Sequence, residues 1–258
     1  MSLTESIHKF KQTARPFLRD VKYRLQGKQF VHYLHIGKTG GTAFHKAVEP
    51  NLITDRYRII LHGHPFKLMD VPGGEKVIFF LRDPISRFAS GFYSRQRQGL
   101  PRDFNPWRPN EAISFNRFQS PQALAAALSS DDAELREAAH YAMTNIGHVK
   151  SHFWDWFKDE NYFLSRWADI LFIGFQESFD SDFAKLKQIL QLPDTVVLPQ
   201  SDEKTNRSPI GINLTFSETE RQNLLEWYAA DYQFLDLCKR LLAQENYSTQ
   251  GMQKLISR

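Results

Sequence analysis

The chain is short of cysteine, of long apolar runs and of repetition, and each shortage closes off a class of protein. Cys238 is the single cysteine among 258 residues, so no internal disulfide can form and a cysteine-rich zinc module is excluded. A reducing compartment suits such a chain, and a cytoplasmic location is expected. No stretch approaches the roughly 20 apolar residues that cross a bilayer. The first thirty residues sustain no apolar run, so neither a signal peptide nor a membrane span is expected. There is no internal repeat and no low-complexity tract. Charge of one sign is also modest: the net charge is +4 with a pI near 9.1. That balance suits an anionic ligand and does not call for nucleic acid, which is not expected as a partner.

What is present reads as a globular enzyme-sized chain. It is 41% hydrophobic and 24% charged, long enough for one sizeable α/β domain and short for two. Residues 1–30 form a basic segment ahead of a domain spanning 31–258. The segment carries Lys9, Lys11, Arg15, Arg19, Lys22, Arg24 and Lys28, with Phe10, Phe17, Leu18 and Tyr23 between them. It can be read as a helix lying weakly on a membrane surface, or as a solvated face held on the domain by a few aromatics. Pro16 interrupts the amphipathic stripe and favours the second reading.

Strands and helices alternate along the domain. Val31–Ile36 is a short apolar run, followed at once by a Gly-rich turn and a helix beginning near Ala43. Arg58–Leu61 is a second strand. Lys76–Leu81 is the clearest, continuously apolar as a parallel strand buried on both faces must be. Asp83 offers an N-cap and Pro84 a first helical position for a helix running to about Gln98. Gly99–Gln119, rich in Pro, Arg and Asn, reads as irregular. Helices follow over 121–129 and 132–157, with interruptions allowed, then a strand at Ile170–Gly174, a helix over Ser181–Leu190 and a polar loop over 198–212. Ser217 with Glu220 forms a capping box that opens a long C-terminal helix. This order predicts a single α/β domain: a parallel sheet flanked by helices, with a P-loop-like nucleotide-binding architecture.

Two stretches carry anion chemistry. Gly37-Lys38-Thr39-Gly40-Gly41-Thr42 lies between a strand and a helix. Its glycines let the backbone approach an anion, the helix N-terminus supplies free amides, Lys38 adds a charge, and Thr39 and Thr42 add hydroxyls. A Walker A loop would need glycine at position 32, where His32 stands, so a standard P-loop kinase or ATPase is rejected. The second stretch is Arg82-Asp83-Pro84-Ile85-Ser86-Arg87-Phe88-Ala89-Ser90. Arg82 leaves a buried strand where α/β proteins bind ligands, able to grip a phosphate in bidentate fashion, and Ser90 lies two turns along the helix.

The Lys-Thr-Gly-Gly-Thr loop resembles the 5′-phosphosulfate loop of the sulfotransferases that use 3′-phosphoadenosine-5′-phosphosulfate (PAPS). The Arg-Asp-Pro-x-x-Arg-x-x-Ser stretch resembles their 3′-phosphate motif. The wording is closest to the carbohydrate branch that includes heparan sulfate 2-O-sulfotransferase, and the chain resembles a bacterial-type, soluble relative. Gly174–Glu177, Asn206-Arg207-Ser208 and Asp231-Tyr232 are weaker echoes. The resemblance implies PAPS as co-substrate, PAP as product and no metal, with Lys38, Thr39, Gly40, Gly41, Thr42, Arg82 and Ser90 binding the nucleotide. It also bears on Leu61-His62-Gly63-His64-Pro65, since imidazole is a natural base near neutral pH. By the family match His64 is the base, with Lys38 catalytic beside it, and His62 orients the base or the substrate. The two histidines can also be read as a structural pair. As half of a metal site they lack further ligands at a familiar spacing. His32, His35 and His45 flank the phosphate loop and could also contact ligand; packing or hydrogen bonding is expected of each rather than catalysis.

The acceptor is read as a hydroxyl compound, with a saccharide first. Arg102, Trp107, Arg108 and Arg117 could form a cationic and aromatic wall for it, with Tyr141–His148 adding to the same cleft. A solvated irregular loop is the other reading of that region. Two alternatives to the sulfotransferase stand beside it: a nucleotide-dependent kinase, for which Asp83 is the one obvious metal-binding acid, and a noncatalytic binding module of the same fold.

Overall fold

The computed structural model describes residues 20–101, 104–199 and 215–256, with side chains to 244. Residues 1–19, Arg102 and the Asn206-Arg207-Ser208 stretch lie outside the described residues. Four parallel strands form the sheet: β1 (Gln29–Leu34), β2 (Tyr57–Leu61), β3 (Lys76–Leu81) and β4 (Ile170–Phe175), in the order β2-β1-β3-β4. The continuous apolar run of β3 follows from its burial on both faces. Val77, Phe79 and Leu81 point into one core with Leu34, Phe157 and Phe234, whereas Ile78 and Phe80 point into another with Tyr33, Phe44 and Leu186. The side-chain period of two makes both faces apolar at once.

Helix α1 (Gly41–Val48) links β1 to β2, and α2 (Pro84–Gln96) leaves β3. Then come α3 (Pro109–Arg117), α4 (Pro121–Ala127), α5 (Ala133–Asn145), the short α6 (Trp154–Phe157) and α7 (Glu160–Ser165). After β4 follow α8 (Phe179–Leu190), α9 (Glu218–Trp227) and α10 (Ala229–Ile256). Helices α2 to α5 and α9 build a satellite core from Phe88, Phe92, Phe115, Leu124, Met143 and Leu224.

The element expectations need two corrections, at α3 and in the C-terminal helix. Helix α3 occupies part of the stretch read as irregular: Pro109 sits at its first turn, and the Glu111 carboxylate accepts from the Arg108 N–H at 3.0 Å. Proline there starts a helix rather than breaking one. The interruption allowed within 132–157 falls after Asn145, where the chain turns through His148, at φ 65°, before α6. The C-terminal helix divides at Tyr228, whose hydroxyl donates to Val149 O at 2.7 Å. The Ser217–Glu220 capping box forms as expected. The described end of the basic segment is fastened down: Lys28 Nζ donates to Thr54 O at 2.6 Å, and Arg24 pairs with Glu75 and lies 4.3 Å over the Phe30 ring. Among the described residues no helix is long and apolar enough to cross a membrane.

The topology sets the place for a ligand. From β1 the chain crosses outward to β2, and from β3 it crosses the other way to β4. The crevice at the carboxyl ends of β1 and β3 is therefore the switch point, where open α/β sheets bind ligands.

Candidate functional site

The two anion motifs meet at that crevice. The loop after β1 carries Lys38 at φ 69° and Gly40 at φ 89°. A left-handed lysine backbone is a strained conformation of the kind kept at functional sites. Gly40 is the N-cap of α1 and has no side chain to give, so the first-turn amides stay free of the usual internal acceptor. At Gly41 a Cβ would lie 2.1 Å from His35 Cδ2, so glycine is required by the packing of that ring. The Thr39 hydroxyl, expected to face an anion, donates instead to Ile36 O at 3.0 Å and closes the turn. Thr42 remains half-buried on the first turn of α1.

Helix α2 is capped differently. The Asp83 carboxylate accepts from Ser86 N at 2.8 Å through Oδ1 and from the Tyr232 hydroxyl at 2.8 Å through Oδ2, and the Asp83 N–H donates to Glu177 Oε1 at 2.7 Å. That N-terminus is capped by the chain's own side chains, and Arg82 is the cation that stands just before it. Arg82 Nε donates to Ser86 Oγ at 2.7 Å and Nη1 to Lys38 O at 3.3 Å. Its Nη2 has no protein acceptor among the described residues. Ser90, one turn beyond Ser86 and nearly buried, shares that side of the helix. Arg87, in the same stretch, is packed inside the fold: it is 1% exposed, pairs with Asp231 and lies 4.8 Å over the Phe153 ring.

The electrostatics favour an anion. Burial pushes the Lys38 ammonium down to about 8, helped by the charges of Arg82 and Arg97. A cation in that position gains from an anion that returns its lost solvation. Burial likewise lowers Arg82, against the pull of Glu177 and Asp83.

The histidines gather beside the loop. His64 Nδ1 lies 2.9 Å from His35 O. A carbonyl only accepts, so Nδ1 carries the proton and Nε2 of the neutral ring is bare. The His64 ring stands 4.0 Å from that of His35 and 5.6 Å from that of His148. Burial lowers its pKa, the His35 carbonyl raises it, and the Lys38 charge lowers it. The Trp156 indole donates to His64 O at 3.0 Å and holds the backbone of the stretch. His45 packs against His35 and Tyr33, at 4.7 and 5.3 Å between rings, as a packing histidine should.

Two residues of the site were not singled out from the sequence. His148, within the Tyr141–His148 stretch read as a neighbour of the cleft, stands over Gly37, where a Cβ would meet its Nδ1 at 2.9 Å. Burial, then the charges of Lys38 and His64, push it down to about 3, so it is neutral. Arg97 closes the far end of α2, and its charge reaches Lys38. Its position seven residues after Ser90 is a two-turn helical repeat, the one signal that could have found it. The expected acceptor wall is not drawn into this cluster. Trp107 donates to Arg95 O at 2.7 Å and stacks at 5.0 Å on Phe115. Arg108 is exposed at the start of α3, and Arg117 lines a shallow surface pocket with Ile113 and Tyr141. What α3 does supply is Glu111: burial raises its carboxyl, but hydrogen bonds from Arg95, Arg108 N–H and Gly147 N–H hold it down to about 2. Those bonds tie the turn that carries His148 to α2 and α3.

Among the described residues no group of three His, Cys, Asp or Glu side chains could hold a metal ion. A family model described as "Sulfotransferase family" matches residues 21–237. No curated protein matches the chain.

Proposed function

The chain belongs to the sulfotransferase family, and from that premise we propose that it transfers a sulfuryl group from PAPS to a hydroxyl of a saccharide or glycoconjugate, without a metal. The observation that carries the donor reading is the link between Arg82 and the Lys38 loop across the switch point. Two anion sites on adjacent strand ends, one built on free helix amides and one on a guanidinium, suit a nucleotide with phosphates at both its 3′ and 5′ ends. Lys38, the amides of Gly40, Gly41 and Thr42 and the backbone of Thr39 would hold the 5′-phosphosulfate, and Arg82 and Ser90 the 3′-phosphate. PAPS supplies an activated sulfuryl group on an anhydride.

Within that frame His64 Nε2 takes the proton of the attacking hydroxyl, and Lys38 lies against the charge that develops on the leaving oxygen. Positioning and electrostatics carry the rest. A sulfuryl group bears less charge than a phosphoryl group, so lysine and backbone amides suffice. The motif wording favours the carbohydrate branch resembling heparan sulfate 2-O-sulfotransferase, in a bacterial-type, cytoplasmic form. Kinase chemistry is disfavoured because both carboxylate oxygens of Asp83, its one obvious metal-binding acid, are engaged by Ser86 and Tyr232. A noncatalytic module has no use for a bare imidazole nitrogen beside the donor loop.

Calorimetry with PAP and with adenosine 5′-phosphate tests the donor reading. Loss of the 3′-phosphate should weaken binding by roughly 2–5 kcal/mol, as for other buried charged contacts. Equal affinities would remove Arg82 and Ser90 from their proposed role. A screen of hydroxyl acceptors with radiolabelled PAPS tests the transfer itself.

A further inference from the structure

A chain of hydrogen bonds runs through the middle of the sheet and ends at His62. Glu75, beside the turn that opens β3 and 9% exposed, places Oε2 2.5 Å from His32 Nε2, while its Oε1 is bonded by Arg24. His32, in the centre of β1 and 4% exposed, places Nδ1 2.8 Å from His62 Nε2. The His62 ring lies flat on Phe66, with centroids 3.4 Å apart and planes 2° from parallel.

The direction of each bond follows from the donors available. A carboxylate only accepts, so His32 Nε2 carries a proton. A neutral imidazole has one N–H, so His32 Nδ1 accepts and His62 Nε2 donates. His62 Nδ1 is then left bare. Both rings are neutral near pH 7: burial lowers His32 against the pull of Glu75, and burial together with the neighbouring His32 takes His62 to about 4. Burying this polar chain inside a strand gains little stability over an apolar pair of the same size. What it does is give His62 one tautomer and one ring plane, at the end of β2 and two residues before His64.

We propose that Glu75 and His32 are positioning residues that hold His62 as its Nε2–H tautomer, so that His62 Nδ1 accepts a hydrogen bond from the acceptor substrate beside the base His64. The inference rests on the sulfuryl-transfer reading of the site. It adds that the acceptor presents a second donor, a hydroxyl or N–H, next to the reacting hydroxyl, because the reacting proton goes to His64.

Two variants of His32 separate this role from packing. His32→Asn keeps an acceptor oxygen near the position of Nδ1 but fills the space poorly. His32→Phe fills the space and removes the acceptor. Ring 15N spectra of full-length wild-type protein should show neutral His62 protonated at Nε2. His32→Asn should retain that tautomer, and His32→Phe should show a mixture. Against an acceptor found with radiolabelled PAPS, His32→Phe should lower kcat/KM by roughly ten- to a hundredfold, the scale on which losing a partner that orients a functional imidazole is felt. His32→Asn should lose less, and PAP affinity should change in neither. A packing role predicts the opposite order, with His32→Phe the healthier enzyme. That order, or a wild-type His62 protonated at Nδ1, overturns the proposal. If no acceptor is sulfated at all, the function reading fails while the 15N spectra still decide the tautomer.

Discussion

A neutral histidine has one proton to place, and at His64 it sits on Nδ1, which donates to the His35 carbonyl and leaves Nε2 to act as the proposed base. His64→Ala should therefore keep PAP affinity and lose turnover by roughly 10²–10⁴-fold. The pH profile follows in sign. The base works deprotonated, and burial with the Lys38 charge holds its pKa below the usual histidine value. The acid limb of kcat/KM should thus lie below pH 6.5, the ordinary histidine value, and should vanish in His64→Ala. Lys38 gives the other limb. Its ammonium, at about 8 in the free protein, loses charge as pH rises through that value. The kcat/KM for PAPS should fall above about pH 8, while kcat at saturating PAPS should hold to higher pH because the bound polyanion favours the ammonium. Rate profiles from pH 5 to 10 read both limbs, and a flat profile across pH 8 would remove Lys38 from the anion site.

At the scale of elements, the two helices around the crevice are started in opposite ways. Helix α1 begins on Gly40, with no capping side chain, so no side chain competes for its first amides. Helix α2 begins on Asp83, which caps Ser86 N and anchors Tyr232 from α10. Asp83→Ala removes both. It should destabilise the protein by about 1–2 kcal/mol from the cap alone, with a further loss from the freed Tyr232. PAP should bind more weakly as well, since Arg82 is held through Ser86 on the same turn. Denaturation and calorimetry on one preparation test the pair of effects. A destabilised variant with unchanged PAP affinity would show that Arg82 is placed independently of the cap.

For the whole molecule, a ligand spanning the ends of β1 and β3 ties together the two directions in which the sheet was wound. Binding to the folded state alone should stabilise it by about 2.7 kcal/mol at a PAP concentration of 100 Kd. For a chain of this size each kcal/mol raises Tm by about 2–4 °C, so PAP should shift the melting curve visibly and adenosine 5′-phosphate much less at equal concentration. Turnover should survive EDTA. Loss of activity in chelator with recovery on adding Mg²⁺ or Zn²⁺ would sink the metal-free mechanism.

The sequence alone determined what depends on near neighbours. The apolar run of 76–81 required a strand buried on both faces, glycines around Lys38 required a tight strand-to-helix turn, and Asp83-Pro84 required a helix start; all three are short-range preferences written in a few adjacent residues. It misread Gly99–Gln119 because proline marks helix starts as well as loops, and it could not see that Trp107 packs on Phe115. Tertiary structure alone decided which histidines lie together. His32, His62 and Glu75 lie on three strands or strand ends, and His35, His64 and His148 come from three separate loops. The ring nitrogens of His32, His62 and His64 meet partners 29 to 43 residues away. The strand order decided the rest, because it alone brings Arg82 to within hydrogen-bonding reach of the Lys38 carbonyl, 44 residues back along the chain.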